Sequence, residues 1–148
     1  QKIVKAAVAI SSDEQDKLTL GNLDAKRDWG HAKDYVNGMY LMLQQDKPQD
    51  YVLATGEIHS VRECCENVFT KLGMTLRGDG KGIEEKGYFG DRLVIDCDEE
   101  FFRPAEVQLL HGDSSKAQKE LGWEFEYNFQ TLMDDMIDKE LEKHLVTP

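Results

Sequence analysis

The stretch that most constrains the fold is "SVRECCENVFTKLG", residues 60–73. Ser60 and Glu63 have the spacing of a capping box, in which each side chain satisfies a free backbone donor at a helix start. Val61, Cys64, Cys65, Val68, Phe69 and Leu72 then recur on one helical face, and Gly73 is placed as the left-handed stop. A helix with so apolar a face has to bury it against a second layer. Cys64 and Cys65 have a plain role there, as small apolar residues of a buried stripe. With Cys97 the count is three, an odd number with two neighbours, which makes a poor disulfide framework. A reducing compartment, the cytoplasm, is expected.

Other elements follow from the same reasoning. Residues 1–12 carry Ile3, Ala6, Ala7 and Ile10 on one helical face. "KLTL", 17–20, is a short strand ending at Gly21. A second helix is predicted over 31–44, striped by Tyr35, Val36, Met39, Tyr40 and Leu43, with Pro48 beyond its end. "YVLATG", 51–56, is predicted as a short buried strand, "MTLRG", 74–78, as a strand, and "LVIDC", 93–97, as another. Between the last two lie five glycines and seven charges in 78–92, predicted as a loop. A short helix over 115–123 is closed by Gly122. The last helix starts near Asn128 and buries Phe129, Leu132, Met133, Met136, Ile137 and Leu141. The result is an α/β chain with short mixed strands and packed helices, and with no internal repeat.

Function classes narrow next. The net charge of −11 argues against nucleic acid and against an anionic membrane, yet leaves room for a local basic pocket for one small anion. No apolar run approaches the ~20 residues that span a bilayer. The start "QKIVKAAVAISS" is broken by Lys5 and has no clean cleavage pattern, and the chain begins with Gln, as expected of a fragment or a processed chain. No zinc-type spacing is present, so no metal site is expected. The glycines at 78, 80, 82, 87 and 90 open no helix, so they are no dinucleotide fingerprint, and there is no Walker loop. The candidate ligand groups are cationic. Arg27 sits before a helix in "GNLDAKRDWGHAKDYV", 21–36. Arg103 lies in "FFRPAEV", where Pro104 suits the first position of a helical turn and a phosphate oxygen would meet both guanidinium and free N–H groups. Spacing alone also allows local pairs: Arg27 with Asp24 or Asp28, and Arg103 with Glu99 or Glu106. His31 suits the helix start, as cap or filler; His59, His111 and His144 are scattered.

Four segments in order, "LGNLDAKRDWGHAKDYV", "DYVLATGEIHSVRE", "FFRPAEV" and "GDSSKAQKELGW", closely resemble the C-terminal part of GDP-mannose 4,6-dehydratases, which are extended short-chain dehydrogenase/reductases. The likeness runs from Gln1-Lys2-Ile3 to the last helix. The pattern around Arg27 is specific to that enzyme; "RPAEV" and the "GDSSKAQKELGW" ending are shared more widely among nucleotide-sugar dehydratases and epimerases. The resemblance implies a Rossmann part that binds NADP and a smaller part that binds the GDP-sugar. It implies oxidation of the mannose C4 hydroxyl, removal of the C5 proton, loss of water from C6 and return of the hydride, giving the precursor of GDP-fucose. No tyrosine here has a lysine four residues on, so by resemblance no catalytic residue and no cofactor-binding residue lies in this chain. The expectation is a GDP-mannose-binding part, with the Rossmann core largely missing, inactive alone. By resemblance Lys2 stands near the diphosphate, Asn22 reads a base edge, Arg27 holds a phosphate or ribose oxygen, and Arg103 clamps the diphosphate. Glu106 binds ribose hydroxyls or orients Arg103. Residues 31–56 are expected to pack on the Rossmann part, and the intact enzyme to be a homo-oligomer. Another nucleotide-sugar dehydratase or epimerase, or an acidic interaction domain without activity, are the alternatives.

Overall fold

The computed structural model describes residues 1–102 and 111–146. Five α-helices and six short strands are described: α1 (Lys2–Ser11), β1 (Leu18–Leu20), β2 (Lys26–Asp28), α2 (Ala32–Leu43), β3 (Ile58–Ser60) and α3 (Val61–Lys71) lead the chain. They are followed by β4 (Arg77–Asp79), β5 (Lys86–Phe89), β6 (Arg92–Cys97), α4 (Ser115–Leu121) and α5 (Phe129–Val146). Four strands form one sheet in the order β1-β6-β5-β4, parallel between β1 and β6 and antiparallel elsewhere. A separate antiparallel ribbon joins β2 to β3.

The helix over 60–73 forms as expected. Ser60 accepts from the Glu63 N–H, Glu63 accepts from the Ser60 N–H, and Gly73 has φ +79°. Its stripe meets α1, α5 and the sheet in one core that includes Ile3, Ile10, Leu18, Phe69, Val94 and Ile137. Phe69, fully buried, contributes about 2–3 kcal/mol of transfer free energy. The three cysteines are free and buried, Cys64 and Cys65 as the stripe predicted. Burial pushes the Cys64 thiol up to about 11 and raises Cys65 and Cys97 as well, so all three are poor nucleophiles.

Two expectations need correction, and a charged strand was not foreseen. Residues 51–56 are not a strand: an extended segment becomes one only with a hydrogen-bonded neighbour, and none is paired to it among the described residues. Only Ala54 of that segment is buried. The glycine-rich stretch 78–92 is not a loop throughout. It holds the β4–β5 hairpin, with Gly78 opposite Gly87, and the start of β6. Gly80, Gly82 and Gly90 supply the positive φ values its turns require. The charged "KRD" is a strand, β2, because β3 lends it a partner.

Helix α2 turns its stripe outward. Val36, Met39, Tyr40 and Leu43 are exposed, while Asp34 and Gly38 face the chain. Asp34 is buried because its carboxylate accepts from the Glu126 and Tyr127 N–H groups, and its carbonyl from Trp123 Nε1 at 2.8 Å. A β-carbon on Gly38 would run into Leu53. His31 caps α2: Nδ1 accepts from the Lys33 N–H, so Nε2 carries the proton given to Asp135 at 3.0 Å.

Lys139, then His31, hold the Asp135 carboxyl down, from an ordinary 3.8 to about 2. A folded-state value below the unfolded one stabilises fully above the unfolded pKa, and the effect is lost as pH falls through about 2. The Asp135→Asn variant is therefore expected to be less stable than the parent at neutral pH. The two should converge as unfolding is followed by circular dichroism from pH 5 to 2.

Candidate functional site

Because β1 and β6 are parallel, both leave the sheet at the same end, with Leu20 beside Cys97. The Asp98 N–H donates to the Leu20 carbonyl at 2.9 Å, which holds the two outgoing segments together. Gly21 lies against the Phe101 carbonyl so closely that a β-carbon there would overlap it. Two clefts open around this contact. The first, about 600 Å³, is lined by Asn22, Asp24, Ala25, Lys26, Ile58, Gly82 and Phe102. The second, about 560 Å³, carries Lys2, Lys5, Lys17 and Phe101 among its walls. Phe101 lines one and Phe102 the other, so consecutive residues wall the two clefts.

Asn22 sits in the first cleft. Its Oδ1 accepts from the Asp24 N–H at 2.9 Å, closing the turn and leaving the amide NH2 to donate. Lys2 sits in the second, its Nζ 2.8 Å from the Thr19 carbonyl and 4.0 Å from the centre of the Phe101 ring. Lys2 and Asn22 thus flank one junction without sharing a cleft. Arg27 is the middle residue of β2, half-buried, opposite His59, with Nη1 donating to the Lys26 carbonyl at 2.7 Å. Strand alternation sets its side chain on the other face from that of Lys26. Arg103 and Glu106 lie outside the described residues, as does the helical turn expected at Pro104.

The sequence reading missed three residues of this region. Lys26 brings a cation to the first cleft, one place before the arginine that drew attention. Arg62 reaches Asp24 and the buried Glu85. Asp28 ties the ribbon to 55–56: its carboxylate accepts from Thr55 N–H, Thr55 Oγ1 and Gly56 N–H at 2.9–3.1 Å. Asp24 is thus bound by Arg62, and Asp28 accepts from Thr55 and Gly56. Residues 111–114 dock on the same segment: Ser114 Oγ donates to the Ala54 carbonyl, and His111 Nε2 lies 3.1 Å from that of Gly56. Among the described residues no group of three or more His, Cys, Asp or Glu could hold a metal ion.

A mixed sheet under three helices, with clefts at the carboxyl ends of a parallel strand pair, is part of an extended short-chain dehydrogenase/reductase fold. UDP-glucose 4-epimerase from Bifidobacterium longum, solved with NAD+ and UDP, superposes with a TM-score of 0.71 at 20% identity, over 96% of this chain and 38% of that one. RMD from Pseudomonas aeruginosa, solved with NADPH, gives 0.72 at 18% identity, over 97% and 43%. The chain belongs to the GDP-mannose 4,6-dehydratase family, whose description matches residues 1–136. A GDP-mannose 4,6-dehydratase of Sinorhizobium fredii is 50% identical over 95% of this chain and 41% of its own length. The human GDP-mannose 4,6 dehydratase is 42% identical over the whole chain and 40% of its own length. The chain therefore spans about two-fifths of the curated relatives it matches. No described helix is long and apolar enough to cross a membrane.

The Gly21–Phe101 contact makes a direct prediction. Gly21→Ala must separate two backbones, since the obstacle is a carbonyl rather than a side chain. A loss of about 1–3 kcal/mol in urea unfolding is expected; a parent-like midpoint would mean that the contact is not tight.

Proposed function

We propose that this chain is the substrate-holding C-terminal part of an NADP-dependent GDP-mannose 4,6-dehydratase, which forms GDP-4-keto-6-deoxymannose on the route to GDP-fucose. The observation that carries the reading is the junction at Gly21 and Phe101. There, two clefts walled by the consecutive residues Phe101 and Phe102 are supplied with Asn22, Lys26 and Lys2, in a chain of that family. A nucleoside diphosphate carries about two negative charges, and lysine and arginine donors arranged around it neutralise them even in an acidic protein. In this reading Lys2 and Arg103 hold phosphate or ribose oxygens at the junction, Arg27 holds one from outside the two clefts, Asn22 donates to a base edge, and Glu106 takes ribose hydroxyls or orients Arg103. No described residue is assigned to proton or hydride transfer, so the 148 residues alone bind and do not turn over. NADP belongs to a Rossmann part of the same enzyme, which works in the cytoplasm as a homo-oligomer.

Residues 31–56 are the surface proposed to meet that part. Val36, Met39, Tyr40, Leu43 and Val52 are 52–83% exposed, and 51–56 has no strand partner among the described residues. So large an apolar face invites association when bare. Met39 and Leu43 are mostly exposed, so replacing both by Lys should leave the double variant close to the parent in stability and more monomeric in light scattering.

Binding is tested by titrating GDP and GDP-mannose while following Trp29 and Trp123 fluorescence. GDP is expected to bind, with a loss of roughly tenfold or more in Arg27→Ala or Arg103→Ala, each charged hydrogen bond being worth about 1.5–3 kcal/mol. A folded chain that ignores GDP would favour an interaction domain; preference for UDP- or dTDP-sugars would favour another member of the superfamily. Turnover of GDP-mannose with NADP by these 148 residues would overturn the claim that they only bind.

A further inference from the structure

The first cleft is built from segments far apart in the chain. Asn22, Asp24, Ala25 and Lys26 come from the β1–β2 connection, and Gly82 from the turn before β5. One guanidinium joins them. Arg62, in the first turn of α3, donates through Nη2 to Asp24 Oδ1 at 2.6 Å and to Glu85 Oε2 at 2.9 Å. Its Nη1 engages Glu85 Oε1 as well, so the second pair is bidentate. Glu85 in turn donates its N–H to the Gly82 carbonyl, closing the turn whose end forms the cleft wall.

The two sides depend on Arg62 unequally. The Asn22 side has other supports, since the Arg62 N–H donates to the Leu23 carbonyl and the Val61 N–H to that of Ala25. Asp24 is mostly in water, whereas Glu85 is only 5% exposed. Without the guanidinium, Glu85 is a buried carboxylate stripped of its counter-charge and must move toward solvent, carrying the Gly82 turn with it. The Asn22 side stays in place.

We infer that Arg62 is a positioning residue: it sets the width of the Asn22–Gly82 cleft and thereby which nucleoside base the chain accepts. This rests on reading that cleft as the base end of the nucleotide site. A flat ring suits its Phe102 and Ile58 walls. The Asn22 NH2 suits a base edge made of acceptors, such as guanine O6 and N7, over adenine, whose corresponding edge carries a donor. Such discrimination requires walls that do not give way to the wrong ring.

The test compares GDP, ADP and inorganic pyrophosphate by calorimetry on the parent chain, Arg62→Lys, and Glu85→Gln. Lysine keeps the charge but cannot span both carboxylates in a fork. The GDP-over-ADP preference is expected to fall by about tenfold in Arg62→Lys, and less in Glu85→Gln, with pyrophosphate affinity unchanged. A merely structural defect would weaken all three ligands together. Glu85→Gln keeps the shape of the side chain while weakening its hold on Arg62, and decides the matter if Arg62→Lys does not fold: an unaltered base preference in it would then overturn the inference. If the parent prefers GDP and a folded Arg62→Lys keeps that preference, the role of Arg62 falls and the site stands. If the parent binds no GDP, both fall.

Discussion

The parallel pairing of β1 with β6 is the constraint on which the rest of the structure depends. Some seventy residues separate these strands, and in between come the β2–β3 ribbon, two long helices and a hairpin. Parallel pairing sends both chains out at one end of the sheet, so Gly21 and Phe101 must meet there. Antiparallel pairing would have put these segments at opposite ends, with no clefts between them. Glycine at 21 is then a consequence of packing, because the neighbour is a backbone carbonyl.

Around that junction the polar groups act as fasteners between segments. Asp28 holds 55–56 against the ribbon, Arg62 holds the Gly82 turn against the β1–β2 connection, and Asp34 holds the chain after α4 against α2. Each uses several charge-assisted bonds with distant partners, and Asp34 and Glu85 are buried. Such groups are costly to orphan, which makes the relative placement of these segments specific. The hydrophobic core lies elsewhere, among α1, α3, α5 and the sheet.

Legibility in the sequence followed the range of the interactions. The α3 cap, the Gly73 and Gly122 stops and the buried faces of α1, α3 and α5 were all readable, because each depends on residues within a few positions. The hairpin hidden in 78–92 was not: charge and glycine there look like solvated loop until β6 supplies a partner. Residues 51–56 failed in the opposite direction, since β-branched and apolar residues suggest a strand, and it has no paired neighbour among the described residues. Helix α2 was readable as a helix. Its inward side was not, because a buried Asp34 makes sense only once the N–H groups of Glu126 and Tyr127 are seen. Likewise Arg27 and Arg103 stood out as cations, whereas Lys26 and Arg62 became visible as parts of the cleft only through contacts with residues remote in sequence.

By itself the sequence determined the helices with their caps and core faces, the thiols as buried apolar residues, and membership of the GDP-mannose 4,6-dehydratase family through motifs lying in order along the chain. Tertiary structure alone decided which strands pair, which side of α2 faces inward, and that Asn22, Lys26 and Gly82 share one cleft. The reason is physical: caps and amphipathic stripes are local bargains between neighbours. Strand pairing and buried ion pairs are contracts between segments tens of residues apart, and they exist only after the chain has closed on itself.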